Sequence, residues 1–490
     1  MTPRLSCRPL RPLRRAIPIV CLAGVLLPAL ALGQAAPAAA QPAAAQVEAL
    51  DALVQRSMQT RQFPGVSVAV VKDGAVVVAK GYGFSDVEKS TRATEQTIYQ
   101  LASVTKPFTA MATLMLAEEG KISLDGKVTE ILPGLPAAWA PVTVRHLLTH
   151  TSGIKSYTDV FGEKKVSDGQ VFTSEQILAL VKDAPLSFTP GDRYAYCNTG
   201  YYLLGMIIEK ASGRTYPAFL TERIFRPLGM TSTSLDDYTD ARPLRARGYS
   251  TGNGKTKPAE HTHPTQPFSA GALISTVVDL AKWDAALSAR KLLKPASYDA
   301  MWTPMRLNDT KASTYALGWE VGPYRGQARQ AHGGDISGFS TYVARFPDAK
   351  VTIVALVNQG GGAAGALVNG IADIYVPGIK EAAPKPIPDA DAKTTAFLKE
   401  VITLAATGEM KPEWLTTEFR AFLLPDRIKQ GPQMMGRHGP LQAFELMEDT
   451  ERDGRRIRVY RATFGTTPLR VQFALAPDGK IGGLGISPAQ

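Results

Sequence analysis

Residues 103–119 read Ser-Val-Thr-Lys-Pro-Phe-Thr-Ala-Met-Ala-Thr-Leu-Met-Leu-Ala-Glu-Glu, and apolar residues recur in this stretch at helical spacing. The apolar positions are Phe108, Met111, Leu114 and Met115. Pro107 is tolerated near the start of a helix because its missing N–H has no helical partner there. Ser103 and Lys106 are three residues apart, so the predicted helix places both side chains on one face, close to its N-terminus.

Strand-like segments occur on both sides of this helix in the chain. Their residues are 66–71, 75–79, 342–346 and 351–357. Asp73-Gly74 is a hairpin turn signal between the first two, and an apolar helix is predicted from Ala363 to Tyr375. The region from about 125 to 300 has mostly helix and loop signals. We therefore predict an α/β fold, with an antiparallel sheet flanked by helices, strands from both ends of the domain and a mostly helical insertion.

The first 45 residues have the pattern of a signal peptide followed by an Ala/Pro/Gln linker. An arginine-rich start precedes an apolar run over 16–32. Cleavage is expected after Gly33, Ala40 or Ala45. The alternative is an uncleaved anchor, but the run is shorter than the roughly 20 residues that span a bilayer, and Pro28 interrupts it. We expect an exported protein, periplasmic or secreted, with no stable membrane insertion after cleavage.

Composition divides the remainder into a main domain, 46–376, a Pro/Ala/Asp-rich linker, 377–392, and a small α+β domain, 393–490. In the small domain Leu469, Val471, Phe473 and Leu475 alternate with other residues, which predicts a strand with one apolar face. This domain has no cluster of catalytic residue types, and its role is left open.

The net charge of +11 includes five arginines before residue 16, and removing them leaves +6 on the rest of the chain. No basic cluster remains, so nucleic-acid binding is excluded. The histidines have no metal-ligand spacing with carboxylates or cysteines, so we expect no metal and no cofactor. After signal cleavage Cys197 is the one cysteine left, which excludes an internal disulfide.

Ser-x-x-Lys occurs three times, and context separates the three. Gly153 interrupts the would-be turn after Ser152, and Ser288 lies at the end of a helical pattern, where the dipole is unfavourable for developing negative charge. Ser103 begins a helix, which favours such charge. A serine at a helix start is also a common N-cap, so this motif alone does not establish a nucleophile.

Two further motifs follow Ser103-x-x-Lys106 in order: Tyr196-Cys197-Asn198 and His332-Gly333-Gly334. This order resembles the serine β-lactamase and penicillin-binding protein superfamily, in particular its class C β-lactamase, D-alanyl-D-alanine carboxypeptidase and family VIII esterase branch. The resemblance covers roughly residues 47–375. It implies a β-lactamase-like fold and an acyl-enzyme hydrolase acting on a small-molecule or peptide substrate.

By this resemblance Ser103 is the nucleophile, and Lys106 and Tyr196 share the general acid–base work. Asn198 would contact Lys106 and the substrate, and the backbone N–H groups of Ser103 and Asp335 would form the oxyanion hole. His332, Gly333 and Gly334 would belong to the substrate-binding strand, where the glycines would let the substrate approach closely. We expect Cys197, between two site residues on a strand, to face the core.

His332 replaces the lysine of the Lys-Thr-Gly motif that class C β-lactamases use to hold the substrate carboxylate. A histidine is mostly neutral at pH 7, so it is a weaker anion anchor and efficient penicillin hydrolysis is not expected. An amide, ester or D-Ala-type peptide substrate stays open, as does the oligomeric state. The alternative is a penicillin-binding sensor that is acylated but turns over little.

Overall fold

The computed structural model describes residues 43–238, 242–252, 255–379, 386–452 and 455–488. The predicted signal peptide and its linker lie outside these ranges, except for residues 43–45. None of the helices in the described ranges combines the length and apolar character needed to cross a bilayer.

The α-helices are α1 Ala44–Arg61, α2 Lys106–Glu118, α3 Val128–Ile131, α4 Val144–Leu148, α5 Tyr157–Lys164, α6 Ser174–Ala179, α7 Asn198–Ser212, α8 Tyr216–Leu220, α9 Val277–Ser288, α10 Pro295–Trp302, α11 Ala363–Tyr375, α12 Ala392–Thr407, α13 Thr417–Leu423 and α14 Gly431–Met434. The strands are β1 Gly65–Lys72, β2 Ala75–Asp86, β3 Thr91–Arg92, β4 Tyr99–Gln100, β5 Ser234–Leu235, β6 Tyr249–Gly252, β7 Lys255–Pro258, β8 Leu273–Ser275, β9 Glu320–Tyr324, β10 Gln327–Ile336, β11 Phe339–Phe346, β12 Val351–Val357, β13 Leu441–Arg452, β14 Arg455–Phe464, β15 Thr467–Leu475 and β16 Ile481–Pro488.

The main sheet is antiparallel and has the strand order β3-β2-β1-β12-β11-β10-β9. Strands from the two ends of the domain meet at its centre, where Val66 of β1 lies opposite Val357 of β12. Helices α1 and α11 cover one face, and the residues between β2 and β9 supply mainly helices. This confirms the predicted α/β fold with a helical insertion.

The central strands are apolar on both faces because both faces are covered. Every residue of β12 is buried, and its hydrophobic residues divide between two hydrophobic cores, one on each side of the sheet. Ser67 is a polar exception, and its hydroxyl is satisfied by Thr94 O at 2.6 Å and by Tyr99 Oη at 2.9 Å. This burial on both faces explains why the segments 66–71 and 351–357 are hydrophobic at nearly every position.

The C-terminal sheet has the order β13-β14-β15-β16 and packs against helices to form a core of its own, drawn from residues 397–486. The predicted alternation in β15 is confirmed, since Leu469, Val471, Phe473 and Leu475 are buried and the residues between them are partly exposed. Asp389 and Asp391, in the predicted linker, accept hydrogen bonds from Arg458 and Arg456 of β14 at 2.6 Å each.

Candidate active site

Ser103 lies in a short 3-10 turn, Ala102–Thr105, that leads directly into α2. Leu101, just before the turn, donates its N–H to Leu273 O at 2.8 Å, and its carbonyl accepts from Thr341 Oγ1 at 2.7 Å. Ala102 has φ +48°, a conformation that costs an L-residue about 1–2 kcal/mol. Neighbouring strands therefore hold the turn in a strained conformation. Ser103 is half-buried, whereas the residues on either side of it in the chain are buried.

Lys106 is fully buried one turn after Ser103, and three oxygen atoms surround its amine. Its Nζ lies 3.0 Å from Ser103 Oγ, 2.8 Å from Asn198 Oδ1 and 2.8 Å from Ala270 O. Burial lowers the pKa of Lys106 well below its usual value, because the charged form loses its hydration. A neutral amine has two N–H groups, which the two carbonyl oxygens accept. Its lone pair is then left for the Ser103 hydroxyl proton, so Lys106 can act as a base.

The ring of Tyr196 also lies next to the lysine, with its centroid 4.8 Å from Lys106 Nζ. The side chain is 40% exposed, although protein surrounds its hydroxyl group. Burial raises the pKa of this tyrosine, against the opposite effect of a hydrogen bond with Ser103. Tyr196 therefore remains a phenol and can donate a proton.

Asn198 is the first residue of α7, and its amide is fixed at both ends. Its Oδ1 accepts from Lys106, its Nδ2 donates to Thr158 Oγ1 at 3.2 Å, and its backbone N–H donates to Ser156 Oγ at 3.1 Å. The expected contact between Asn198 and Lys106 is therefore present in the structure.

Cys197 is buried, as expected, but the expected reason is wrong. The chain from Tyr194 to Cys197 is a loop that ends at the start of α7, so the alternation of a strand does not apply. Instead Cys197 donates its N–H to His150 Nδ1 at 3.0 Å, and its Sγ lies 3.1 Å from Ile154 O. The His150 ring lies against Tyr196, with centroids 4.2 Å apart.

His332 is 1% exposed and both of its ring nitrogens have partners. Nδ1 donates to Gly333 O at 2.7 Å, which leaves Nε2 to accept from Tyr315 Oη at 2.8 Å. Burial lowers the pKa of His332 to about 3, because the charged form would lose its hydration. The histidine is therefore neutral, and the structure places it beneath Tyr196 rather than in the lining of the cavity at Ser103.

Gly334 has a role that the sequence did not predict, whereas the approach of substrate to Gly333 and Gly334 stays a prediction. A Cβ on Gly334 would lie 2.3 Å from Leu101 O and 3.0 Å from Ala102 Cβ. Strand β10 thus approaches the backbone of the nucleophile turn, and the missing side chain allows that approach. A Cβ on Gly333 would meet the ring of Tyr342 at 3.1 Å.

Asp335 and Ser103 line a common cavity of about 180 Å³. The other lining residues are Ala102, Tyr157, Thr158, Phe161, Asp168, Asn198, Thr262, Gln266, Pro267, Ala270, Gly271 and Ile336. The Asp335 carboxylate accepts the N–H groups of Gly361 and Gly362 at 2.9 and 2.6 Å, and burial raises its pKa. A larger cavity of about 640 Å³ near Arg345 contains none of the predicted site residues, so its size does not make it the active site.

The sequence matches the family described as Beta-lactamase over residues 50–375. The chain belongs to the Beta-lactamase family. Solved structures similar to this β-lactamase-family protein include hydrolases. By its fold and its family the protein is a serine hydrolase.

A penicillin-binding protein of Bacillus subtilis (strain 168) is 31% identical over 63% of this chain and 71% of its own length. The Staphylococcus aureus proteins named protein flp are 28% identical, and the match spans 62% of their length. The octameric penicillin-binding protein homologue from Pyrococcus abyssi is 25% identical, with a TM-score of 0.63 over 91% of this chain and 96% of that one. A D-stereospecific amidohydrolase from Streptomyces sp. is 27% identical, with a TM-score of 0.57 over 67% of this chain and 98% of its own.

In this β-lactamase-family protein the structure brings Ser103, Lys106, Tyr196 and Asn198 together, and places Gly334 and Asp335 beside them. Three contributors to the site were not predicted as site residues: the Ala270 carbonyl, Tyr315 and the His150 ring. Within the described ranges, no group of three or more His, Cys, Asp or Glu side chains is placed to hold a metal ion.

Proposed function

We propose that the protein hydrolyses an amide or ester bond through a covalent acyl-enzyme on Ser103. The observation that supports this best is the position of Lys106 Nζ, 3.0 Å from Ser103 Oγ and hydrogen-bonded to two carbonyl oxygens. This geometry aims the lone pair of a neutral, buried amine at the serine, which is the arrangement that activates a weak hydroxyl nucleophile.

In the acylation step Lys106 Nζ takes the Ser103 proton while Oγ forms a bond to the substrate carbonyl carbon, and the carbonyl oxygen becomes an oxyanion. The backbone N–H groups of Ser103 and Asp335 are the proposed donors to it, each worth about 2.7–4 kcal/mol of transition-state stabilisation. As the tetrahedral intermediate collapses, the leaving nitrogen or oxygen takes a proton from Tyr196, which Lys106 reprotonates. Water then attacks the carbonyl carbon of the acyl ester on Ser103 while Lys106 takes its proton. Ser103 Oγ leaves with a proton from Tyr196, which Lys106 reprotonates, and the acid is released.

The edge of β10 offers a place for the substrate. Within the described chain, β9 pairs with β10 only over residues 327–331, so the segment from His332 to Ile336 has no strand partner on that side. An extended acyl chain can lie along such an edge. With His332 buried and neutral, this segment lacks the cation that would hold the carboxylate of a penicillin. Amides and esters are therefore the proposed substrates in preference to β-lactams, and the Streptomyces relative is named as an amidohydrolase.

The test is to incubate the protein and Ser103→Ala with short-chain p-nitrophenyl esters and a fluorescent penicillin, and to follow acylation by intact mass. Steady-state ester hydrolysis that Ser103→Ala abolishes is the expected result. A stable acyl adduct without steady-state turnover would favour the penicillin-binding sensor. Hydrolysis that survives in Ser103→Ala would refute the proposal.

We further propose that the protein is exported and is cleaved after Gly33, Ala40 or Ala45. The support is the arginine-rich start and the apolar run at 16–32. The mass of the protein recovered from its native host tests this, since cleavage after Gly33, Ala40 or Ala45 gives three distinct masses. Recovery of the uncleaved chain from the membrane fraction would contradict it.

A further inference from the structure

The charges in the cavity at Ser103 have one sign. Two carboxylates, Asp168 and Asp335, line the cavity, and no lysine or arginine lines it. Lys106 lies behind Ser103 and is not part of this lining. Asp335 already accepts two backbone N–H groups from Gly361 and Gly362. An acyl group with a negative charge would meet two like charges here, so the cavity disfavours anionic acyl groups.

Asp168 is held in place by hydrogen bonds but forms no ion pair with a basic side chain of the described residues. Its Oδ1 accepts a hydrogen bond from Thr262 Oγ1 at 3.0 Å. Its backbone carbonyl accepts from the N–H of His263 and from Nε2 of Gln266, each at 2.7 Å, which fixes the loop that carries it. Among the described residues no lysine, arginine or histidine forms an ion pair with Asp168. The half-buried carboxylate therefore has capacity for a cationic partner.

The walls of the cavity limit the size and polarity of the group that enters. Tyr157, Phe161, Pro267 and Ile336 present apolar surface in the same cavity. The volume of about 180 Å³ is below the 300–1,000 Å³ that is usual for a drug-sized ligand. A single apolar or aromatic amino-acid residue suits this space better than a peptide.

We propose that Asp168 binds the ammonium group of the acyl part of the substrate. The substrate class is then an amide or ester of an apolar or aromatic amino acid with a free amino group. This rests on the proposed function, since it places the acyl group in the cavity that Ser103 shares. Asp168 is a specificity residue in this proposal, because it contacts the substrate and takes no part in the bond changes.

The test compares two esters that differ in the ammonium group, phenylalanine methyl ester (both enantiomers) and methyl 3-phenylpropionate, with the released acid measured by chromatography. The enzymes are the mature protein, Asp168→Asn, and Asp183→Asn as an exposed control with the same change in charge. The amide introduced by Asp168→Asn keeps an oxygen for Thr262, so the loop contact is preserved in the variant.

The mature protein should prefer one phenylalanine ester over methyl 3-phenylpropionate. Asp168→Asn should lower kcat/KM for that ester by about 10- to 100-fold, as expected for a lost charge-assisted hydrogen bond, and leave methyl 3-phenylpropionate within twofold. Asp183→Asn should change neither rate. The proposal is overturned if the mature protein shows no preference for the ammonium ester, or if Asp168→Asn affects both esters equally. Ser103→Ala separates the two claims: hydrolysis that survives in it refutes the nucleophile, whereas Ser103-dependent hydrolysis without ammonium preference refutes only the role of Asp168.

Discussion

Gly334→Ala should damage catalysis by moving the nucleophile turn. The added Cβ would lie 2.3 Å from Leu101 O and 2.5 Å from Thr341 Oγ1, whereas an ordinary contact is about 3.4 Å. Strand β10 and the turn must therefore separate by about 1 Å, and a misplacement of that size costs about 100-fold in rate. In barrier height this is about 2.7 kcal/mol. The overpacking itself should destabilise the fold by about 1–3 kcal/mol.

The assay is kcat/KM for a short-chain p-nitrophenyl ester, with thermal unfolding measured on the same samples. Gly333→Ala is the matched control, because its Cβ would meet a side chain, the ring of Tyr342 at 3.1 Å, which can move. Gly333→Ala should lose much less activity than Gly334→Ala. If Gly334→Ala kept the rate of the unchanged protein, the close approach of β10 to the turn would not position Ser103.

Three further predictions concern Lys106, Tyr196 and the contact between Tyr315 and His332. Lys106→Met should lower kcat/KM by about 10²–10⁴-fold with an unchanged far-UV circular dichroism spectrum, and near-normal activity would exclude Lys106 as the base. Because burial lowers the pKa of Lys106 and the neutral amine is the active form, kcat/KM should rise with pH through that lowered pKa. The rate should not fall again until Tyr196, whose pKa is raised, ionises, and a decline over the lower range would contradict this assignment. Tyr315→Phe leaves buried His332 Nε2 without its donor and should cost about 1–3 kcal/mol in urea unfolding, so an unchanged midpoint would argue against that hydrogen bond.

Local patterns were sufficient for much of the fold and for the first members of the site. The spacing of Ser103 and Lys106, the hairpin at Asp73-Gly74 and the helix at 363–375 depend on neighbouring residues, and the structure has all three. The two rejected Ser-x-x-Lys motifs make other contacts. Ser288 Oγ accepts a hydrogen bond from Arg345 Nη2 at 2.8 Å, and Lys155, three residues after Ser152, forms an ion pair with Glu163 at 3.2 Å.

The remaining parts of the site depend on contacts between distant segments. Ala270 contributes a backbone carbonyl, which every residue has, so no side chain marks its position. The reason for Gly334 could not be predicted, because the approaching backbone of Leu101 comes from a segment more than 200 residues earlier. His332 was predicted to contact substrate from its motif, whereas the structure buries it and hydrogen-bonds its Nε2 to Tyr315 Oη, which is 17 residues earlier in the chain.

The register of the main sheet has a consequence for the order of folding. Val66 in β1 pairs with Val357 in β12, so the centre of the sheet cannot close until about 290 further residues have been synthesised, roughly 15–60 s at 5–20 residues per second. During that interval the valine-rich β1 has its hairpin partner β2 but lacks the neighbour that covers its other edge. Until β12 pairs with β1, such a chain is exposed to aggregation. The same topology that builds the active site therefore delays closure of the main sheet until β12 has been synthesised.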